Sequence, residues 1–115
     1  NFTFTHLDHH SSVNRDKEAA ILVEHIRKKT GPFVLLGDFN SSKGSVALER
    51  ILGSGLVHNP YIGYDLHKTY PSDKPKYSLD HILVSKELDI TNYHTIWAEM
   101  SDHRPIVGDI LLKSF

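Results

Sequence analysis

Apolar and polar side chains alternate at the start of the chain. Phe2, Phe4 and His6 fall on one side, and Thr3 and Thr5 on the other. That is the period of a strand with one buried face. The period then changes to that of a helix, with Ala19, Leu22, Val23 and Ile26 forming an apolar stripe. Ser11 or Ser12 supplies a cap, Asp16 and Glu18 lie early, and Arg27, Lys28 and Lys29 lie late, as the helix dipole favours. The pattern predicts a helix from about Ser11 to Lys29, ended by Gly31-Pro32. Phe33 to Leu36 is an unbroken apolar run too short for a helix, and reads as a strand buried on both faces. It stops at Gly37-Asp38-Phe39-Asn40. A short helix follows over Ser45–Leu52, closed by Gly53 and Gly55. Leu56 to Lys76 holds Pro60, Pro71 and Pro75 with no period, and reads as a long loop of the kind that usually carries function. Tyr77–Ser85, Ile90–Ala98 and Arg104–Leu112 predict three more strands, the last opened by Pro105 at its edge.

The order is that of a mixed α/β (α+β) chain: one mixed, mostly antiparallel sheet with outer helices. Two helices cannot cover both faces of such a sheet, so one face is expected to pack on something else. At 115 residues the length suits one domain, and 39% hydrophobic with 23% charged residues suits a globular one. The chain opens at Asn1, already within a strand, and is expected to be part of something longer. No apolar run is long enough for a transmembrane segment. The absence of cysteine excludes disulfides, thiolate zinc sites and a Cys nucleophile. A formal charge of -1 gives no footprint for gripping long nucleic acid nonspecifically, yet leaves room for an enzyme that handles one phosphate locally.

Nine histidines invite a search for a site. His6 ends the first strand, Asp38 and Asn40 follow the second, Asp80 lies early in the third, and Asp102-His103 precedes the last. Ligand sites in α/β folds favour such strand ends. Each residue also has an ordinary reading. Asp38 suits a turn, Asp102-His103 suits a cap or surface pair, and His9 and His10 beside Asp8 suit a solvated loop. Asp38 with Asn40 pairs an anion that can orient water with an amide that can hold an oxygen. Asp102 could fix and charge the His103 imidazole. Asp80 within an apolar strand needs a partner, for which a histidine is natural. His81 points to the opposite face by strand alternation and reads as structural.

Thr5-His6-Leu7-Asp8, Gly37-Asp38-Phe39-Asn40, Leu79-Asp80-His81-Ile82-Leu83-Val84-Ser85 and Ser101-Asp102-His103-Arg104-Pro105-Ile106 occur in that order. Together they resemble the carboxyl-terminal half of the endonuclease/exonuclease/phosphatase (DNase I-like) superfamily. The resemblance implies half of a four-layer α/β sandwich, with residues 1–115 forming the carboxyl-terminal portion of a single domain whose amino-terminal half is absent. It implies a hydrolase of phosphate esters dependent on Mg²⁺, or on Mn²⁺ or Ca²⁺: a phosphodiesterase, nuclease or phosphatase. Asp38 would activate water, Asn40 would hold the water or a phosphoryl oxygen, and His103 and His6 would stabilise the phosphoryl group. Asp80 would support a catalytic histidine. Asp38, Asn40, Asp102 and His103 would be the metal contacts, and Asn40, Thr69 and His103 the substrate contacts. The family's amino-terminal half supplies a Glu that is its principal metal ligand, so the 115-residue chain by itself is expected to be weak or inactive. His81 stands where the family more often has Tyr, and Ser78 where many members place Arg.

Substrate is less legible. Tyr61, Tyr64 and Tyr70 suit a base or a lipid head group, and equally plain packing. Lys68, Lys74 and Lys76 are offset by Asp65 and Asp73, which leans towards a small phosphoester or a nonspecific phosphodiester over a dedicated DNA substrate. Partners would be that phosphate ester (nucleic acid and lipid included) and the amino-terminal half. The alternatives are a non-catalytic half-domain serving binding or scaffolding, and a histidine metal site at His9 and His10.

Overall fold

The computed structural model describes residues 2–7, 11–62, 68–97 and 101–113, with side chains from Leu7 onward. Its elements in chain order are β1 (Phe2–His6), α1 (Ser12–Arg27), β2 (Val34–Asp38), α2 (Val46–Gly53), β3 (Asp80–Val84), β4 (Leu88–Thr95) and β5 (Ile106–Leu112). Ser11 caps α1: its hydroxyl accepts the Asn14 N–H at 3.1 Å. The helix closes slightly before the expected Lys29, whose N–H donates to Ile26 O at 3.1 Å. Gly31, at φ 76°, then turns the chain in a conformation that favours glycine.

β1 runs parallel to β2, with Phe2 beside Val34 and His6 beside Asp38. β2 runs antiparallel to β3, with Val34 opposite Val84 and Asp38 opposite Asp80. β4 and β5 form a separate antiparallel ladder, Leu88 opposite Leu112, with a bulge between Thr91 and His94. The expected α+β class holds, and its strands divide between two ladders. His58 explains the break. Its N–H donates to Val84 O at 2.8 Å and its C=O accepts the Val84 N–H at 3.1 Å, so the free edge of β3 is already taken.

Two apolar clusters flank the three-stranded ladder. Leu35 and Leu83 on one face pack with Phe39, Ala19, Val23, Ile26, Ala47 and Ile51, beneath the two helices. Val34, Ile82 and Val84 on the other pack with Leu88, Ile90 and Tyr93 of β4. The β2 run is therefore buried on both faces, as its uniform apolarity predicts. The face expected to lack cover is partly covered by β4 and β5. Apolar surface remains at Ile96, Trp97, Leu111 and Leu112. Among the described residues no helix is long and apolar enough to cross a membrane.

Leu35 is fully buried where β2 meets the helices. Leu35→Ala is expected to lower unfolding free energy by about 3 kcal/mol, the usual cost of a large-to-small core change. Urea denaturation followed by circular dichroism measures it. A loss below about 1 kcal/mol would show that this strand is not central to the core.

Candidate active site

The β2–β3 register sets Asp38 and Asp80 side by side at the end of the ladder. Cross-strand partners project from the same face, so the two carboxylates share one side of the sheet. His103, in the turn before β5, comes over them. Its Nδ1 lies 2.6 Å from Asp80 Oδ2, and its Nε2 lies 3.6 Å from Asp38 Oδ2. One ligand atom from each of the three lies within 4.8 Å of the others.

Local hydrogen bonds fix this meeting point. Asp38 Oδ1 accepts the Asn40 N–H at 2.8 Å, closing a two-residue side-chain turn. Asn40 takes a left-handed backbone, φ 47°, which asparagine tolerates better than most residues. Its side-chain Nδ2 donates to Leu7 O at 2.6 Å, tying the turn to the segment after β1. The His103 turn is braced by the long loop. Arg104 donates its N–H to Thr69 O at 2.6 Å and its Nε–H to Ser72 O at 2.7 Å. Ser72 donates its N–H to Asp102 O at 2.9 Å and its hydroxyl to Ser101 O at 2.6 Å. The Tyr70 ring lies 4.8 Å from the His103 ring, tilted by 45°.

Asp38, Asn40 and His103 line a cleft of about 700 Å³ together with Arg15, Ser42 and Tyr70. His103 is the partner that the cost of burying Asp80 demanded. Two expectations are corrected. Asp102 does not hold the imidazole: Asp80 does, while the exposed Asp102 accepts a hydrogen bond from Ser101 Oγ at 3.3 Å. A carboxylate adjacent in sequence lacks the reach across its own turn that a strand partner has. Thr69 is not a substrate contact. It is fully buried, and its Oγ1 accepts the Leu79 and Asp80 N–H groups at 3.2 and 3.3 Å, so it braces the entry to β3. The backbone of His6 closes β1 beside Asp38. The His6 side chain, and all of Asp8, His9, His10 and Tyr64, lie outside the described residues. Tyr61 is no cleft residue; it stacks on Tyr93 at 5.7 Å. Arg15 is a cleft residue that the sequence reading missed. Its signal was a cation in the first turn of the helix that follows β1.

His81 is buried on the other face, as alternation predicts. Its Nε2–H donates to Ser41 O at 2.8 Å and its ring packs on Phe39 at 5.5 Å. Burial is the main cause that holds its pKa below the ordinary 6.5. Burial also pulls on His103, but the Asp80 hydrogen bond and the charges of Asp80, Asp38 and Asp102 outweigh it, and its pKa stands above 6.5. The site thus favours an imidazolium held at Nδ1 and aimed at Asp38 through Nε2.

Residues 2–103 match the family model described as Endonuclease/Exonuclease/phosphatase family. A solved endonuclease/exonuclease/phosphatase family protein from Bacteroides thetaiotaomicron aligns with TM-score 0.84 at 21% identity, covering 98% of this chain and 50% of that one. The mannosyl-6-phosphatase Bt3783 of Bacteroides thetaiotaomicron VPI-5482 aligns with TM-score 0.77 at 22% identity, covering 96% and 51%. A beta toxin variant from Staphylococcus aureus with bound magnesium ions aligns with TM-score 0.61 at 17% identity, covering 91% and 51%. The chain thus spans about half the length of these structures, and the likeness shows the fold. A search of curated proteins finds no significant match.

The two histidines pull stability in opposite directions. The raised His103 pKa contributes stability that is full below 6.5 and is lost as pH climbs through the folded value. The depressed His81 pKa contributes stability that is full above 6.5 and is lost as pH falls through the folded value. A ¹H–¹³C imidazole titration is expected to place the His103 midpoint above 6.5 and that of His81 below it. Asp80→Asn should lower the His103 midpoint most, since it removes both a hydrogen-bond partner and a charge there and only a charge at His81. An unchanged His103 midpoint in that variant would contradict the assigned partner.

Proposed function

The chain belongs to the endonuclease/exonuclease/phosphatase family, and on that premise we propose that it carries much of the catalytic centre of a divalent-metal-dependent phosphate-ester hydrolase. The observation that carries this reading is the meeting of Asp38, Asp80 and His103, with Asn40 beside them. A phosphate ester is anionic and repels an incoming hydroxide, so hydrolysis needs a positioned water and donors for the developing charge. Asp38 orients the attacking water and takes its proton. Asn40 holds the water or a phosphoryl oxygen. His103, its Nδ1–H held by Asp80, donates from Nε2 to a phosphoryl oxygen. Asp80 positions His103 and contributes through it. His6, whose backbone lies beside Asp38 in the ladder, and Asp102, next to His103 in the chain, complete the proposal as further contacts to the phosphoryl group and to the ion.

The donor set fits a hard divalent ion. Carboxylate and amide oxygens suit Mg²⁺ or Mn²⁺, with Ca²⁺ next. Asp38 and Asn40 Oδ1 would hold it, with Asp102 at the edge, while His103 keeps its Nε2–H for the phosphoryl oxygen. When bound, the ion supplies positive charge that draws off the phosphoryl negative charge. The mannosyl-6-phosphatase and the magnesium-bound beta toxin support phosphate-ester chemistry and magnesium here. Because the chain covers about half of each of those structures, residues 1–115 are proposed as the carboxyl-terminal portion of one domain. An amino-terminal half then supplies the remaining ligand. The substrate class extends to small phosphomonoesters and to phosphodiesters of nucleic acid or lipid. A non-catalytic half-domain would have no need of an Asp80–His103 pair at 2.6 Å beside a cleft.

The test is hydrolysis of p-nitrophenyl phosphate and of bis(p-nitrophenyl) phosphate with Mg²⁺. The 115-residue chain is expected to turn over slowly, and faster when the amino-terminal half is added as a second polypeptide. Asp38→Ala should cost about 10²-fold or more, the usual contribution of a positioned base, and chelation should abolish turnover. Full activity in Asp38→Ala, or activity indifferent to chelation, would overturn the proposal.

A further inference from the structure

From Asp38 to Ser41 the chain is tied down at every residue. Asp38 pairs with Asp80 in the ladder. Phe39 donates its N–H to Leu79 O at 2.9 Å and buries its ring completely. Asn40 donates from Nδ2 to Leu7 O at 2.6 Å. Ser41 O accepts from His81 Nε2 at 2.8 Å. That last tie differs from the others, because its donor is a buried side chain 40 positions away in sequence. Opposite His81 in the ladder stands Gly37, which has no side chain and so leaves room for the ring on that face. The ring is held in turn by its packing on Phe39. Ser41 is buried too, and its Oγ has no hydrogen-bond partner among the described residues, so its carbonyl carries the tie.

The tie falls where the backbone needs it. Asn40 stands at φ 47°, a left-handed conformation that persists only where its surroundings hold it. Asp38 Oδ1 fixes the turn before Asn40, on the Asn40 N–H. His81 fixes it after Asn40, on the carbonyl of the next residue. A buried carbonyl deprived of its donor is costly, so Ser41 would move to recover one and would carry Asn40 with it. We infer that His81 is a positioning residue of the site, whose ring N–H on Ser41 O holds the turn that presents Asp38 and Asn40 to the cleft. This rests on the reading of Asp38 and Asn40 as the ion-holding end. His81 acts through the turn, touching neither ion nor substrate.

The experiment uses the labelled 115-residue chain, with Mg²⁺ as the probe and the backbone and side-chain amide signals of Asn40 as the readout. A long-range ¹H–¹⁵N spectrum of the wild type is expected to show His81 protonated at Nε2. His81→Phe keeps a ring against Phe39 and removes the donor. It should shift the Asn40 signals before any ion is added and weaken Mg²⁺ about tenfold, the usual cost of losing a group that orients a metal ligand. His81→Gln, which restores a side-chain N–H, should recover part of both. Ile90→Val, a core change in the other apolar cluster, should move neither. Unchanged Asn40 signals and Mg²⁺ affinity in His81→Phe would overturn the inference while leaving the ion-holding reading intact. A His81→Gln variant no better than His81→Phe, or equal shifts in Ile90→Val, would overturn it too, by assigning His81 to packing alone. Asn40 signals that ignore Mg²⁺ in the wild type would bring down the ion-holding reading and this inference with it.

Discussion

The register of β2 against β3 is the constraint on which the site depends. Pairing Asp38 with Asp80 sets two carboxylates on one face at the end of the ladder, and sends His81 to the other face. A slip of one residue would exchange them, since strand side chains alternate with a period of two. Asp80 would then enter the core, where an unpaired charge is costly, and His81 would enter the cleft. The apolar residues resist that slip. Leu35 and Leu83 face the helices, while Val34, Ile82 and Val84 face β4, so both sides of the ladder hold the same alignment. Hydrophobic packing on two faces thus fixes the position of charged groups at the strand ends.

The third member of the group is held by different means. His103 lies outside the ladder, in a turn, and the long loop secures it. Thr69 links that loop to both sides, accepting N–H groups from Leu79 and Asp80 on its side chain and from Arg104 on its carbonyl. Ser72 and Arg104 complete the brace. Burial and polar satisfaction go together here. Thr69 is fully enclosed, and its hydroxyl and backbone groups are engaged. Such support keeps the imidazole in place while leaving its Nε2 beside Asp38.

Local pattern carried the elements well. The apolar run at Phe33–Leu36 gave a strand buried on both faces, and the cap at Ser11 with the stripe to Ile26 gave α1. The separation of Asp80 from His81 followed from alternation alone. What alternation does not encode is which strand edge stays open. That depended on His58, a loop residue 26 positions before Val84, whose backbone bonds interrupt the sheet. The partner of His103 was likewise a matter of tertiary reach. Asp102 is adjacent in sequence yet does not hold the ring; Asp80 is 23 positions away and lies 2.6 Å from it. Thr69 was expected in the site and Arg15 was not singled out, for the same reason. Burial of the first and exposure of the second to the cleft arise from loop and helix packing, which neither residue's neighbours announce.

The most direct check on the central claim uses a paramagnetic ion as a ruler. Mn²⁺ added in small amount to the labelled chain should broaden the signals of Asp38, Asn40 and His103 first, with Asp80 close behind, and Mg²⁺ should reverse the effect by competition. Broadening centred on other acids, such as Asp16 or Glu24 on α1, with the strand-end signals left sharp, would contradict the account.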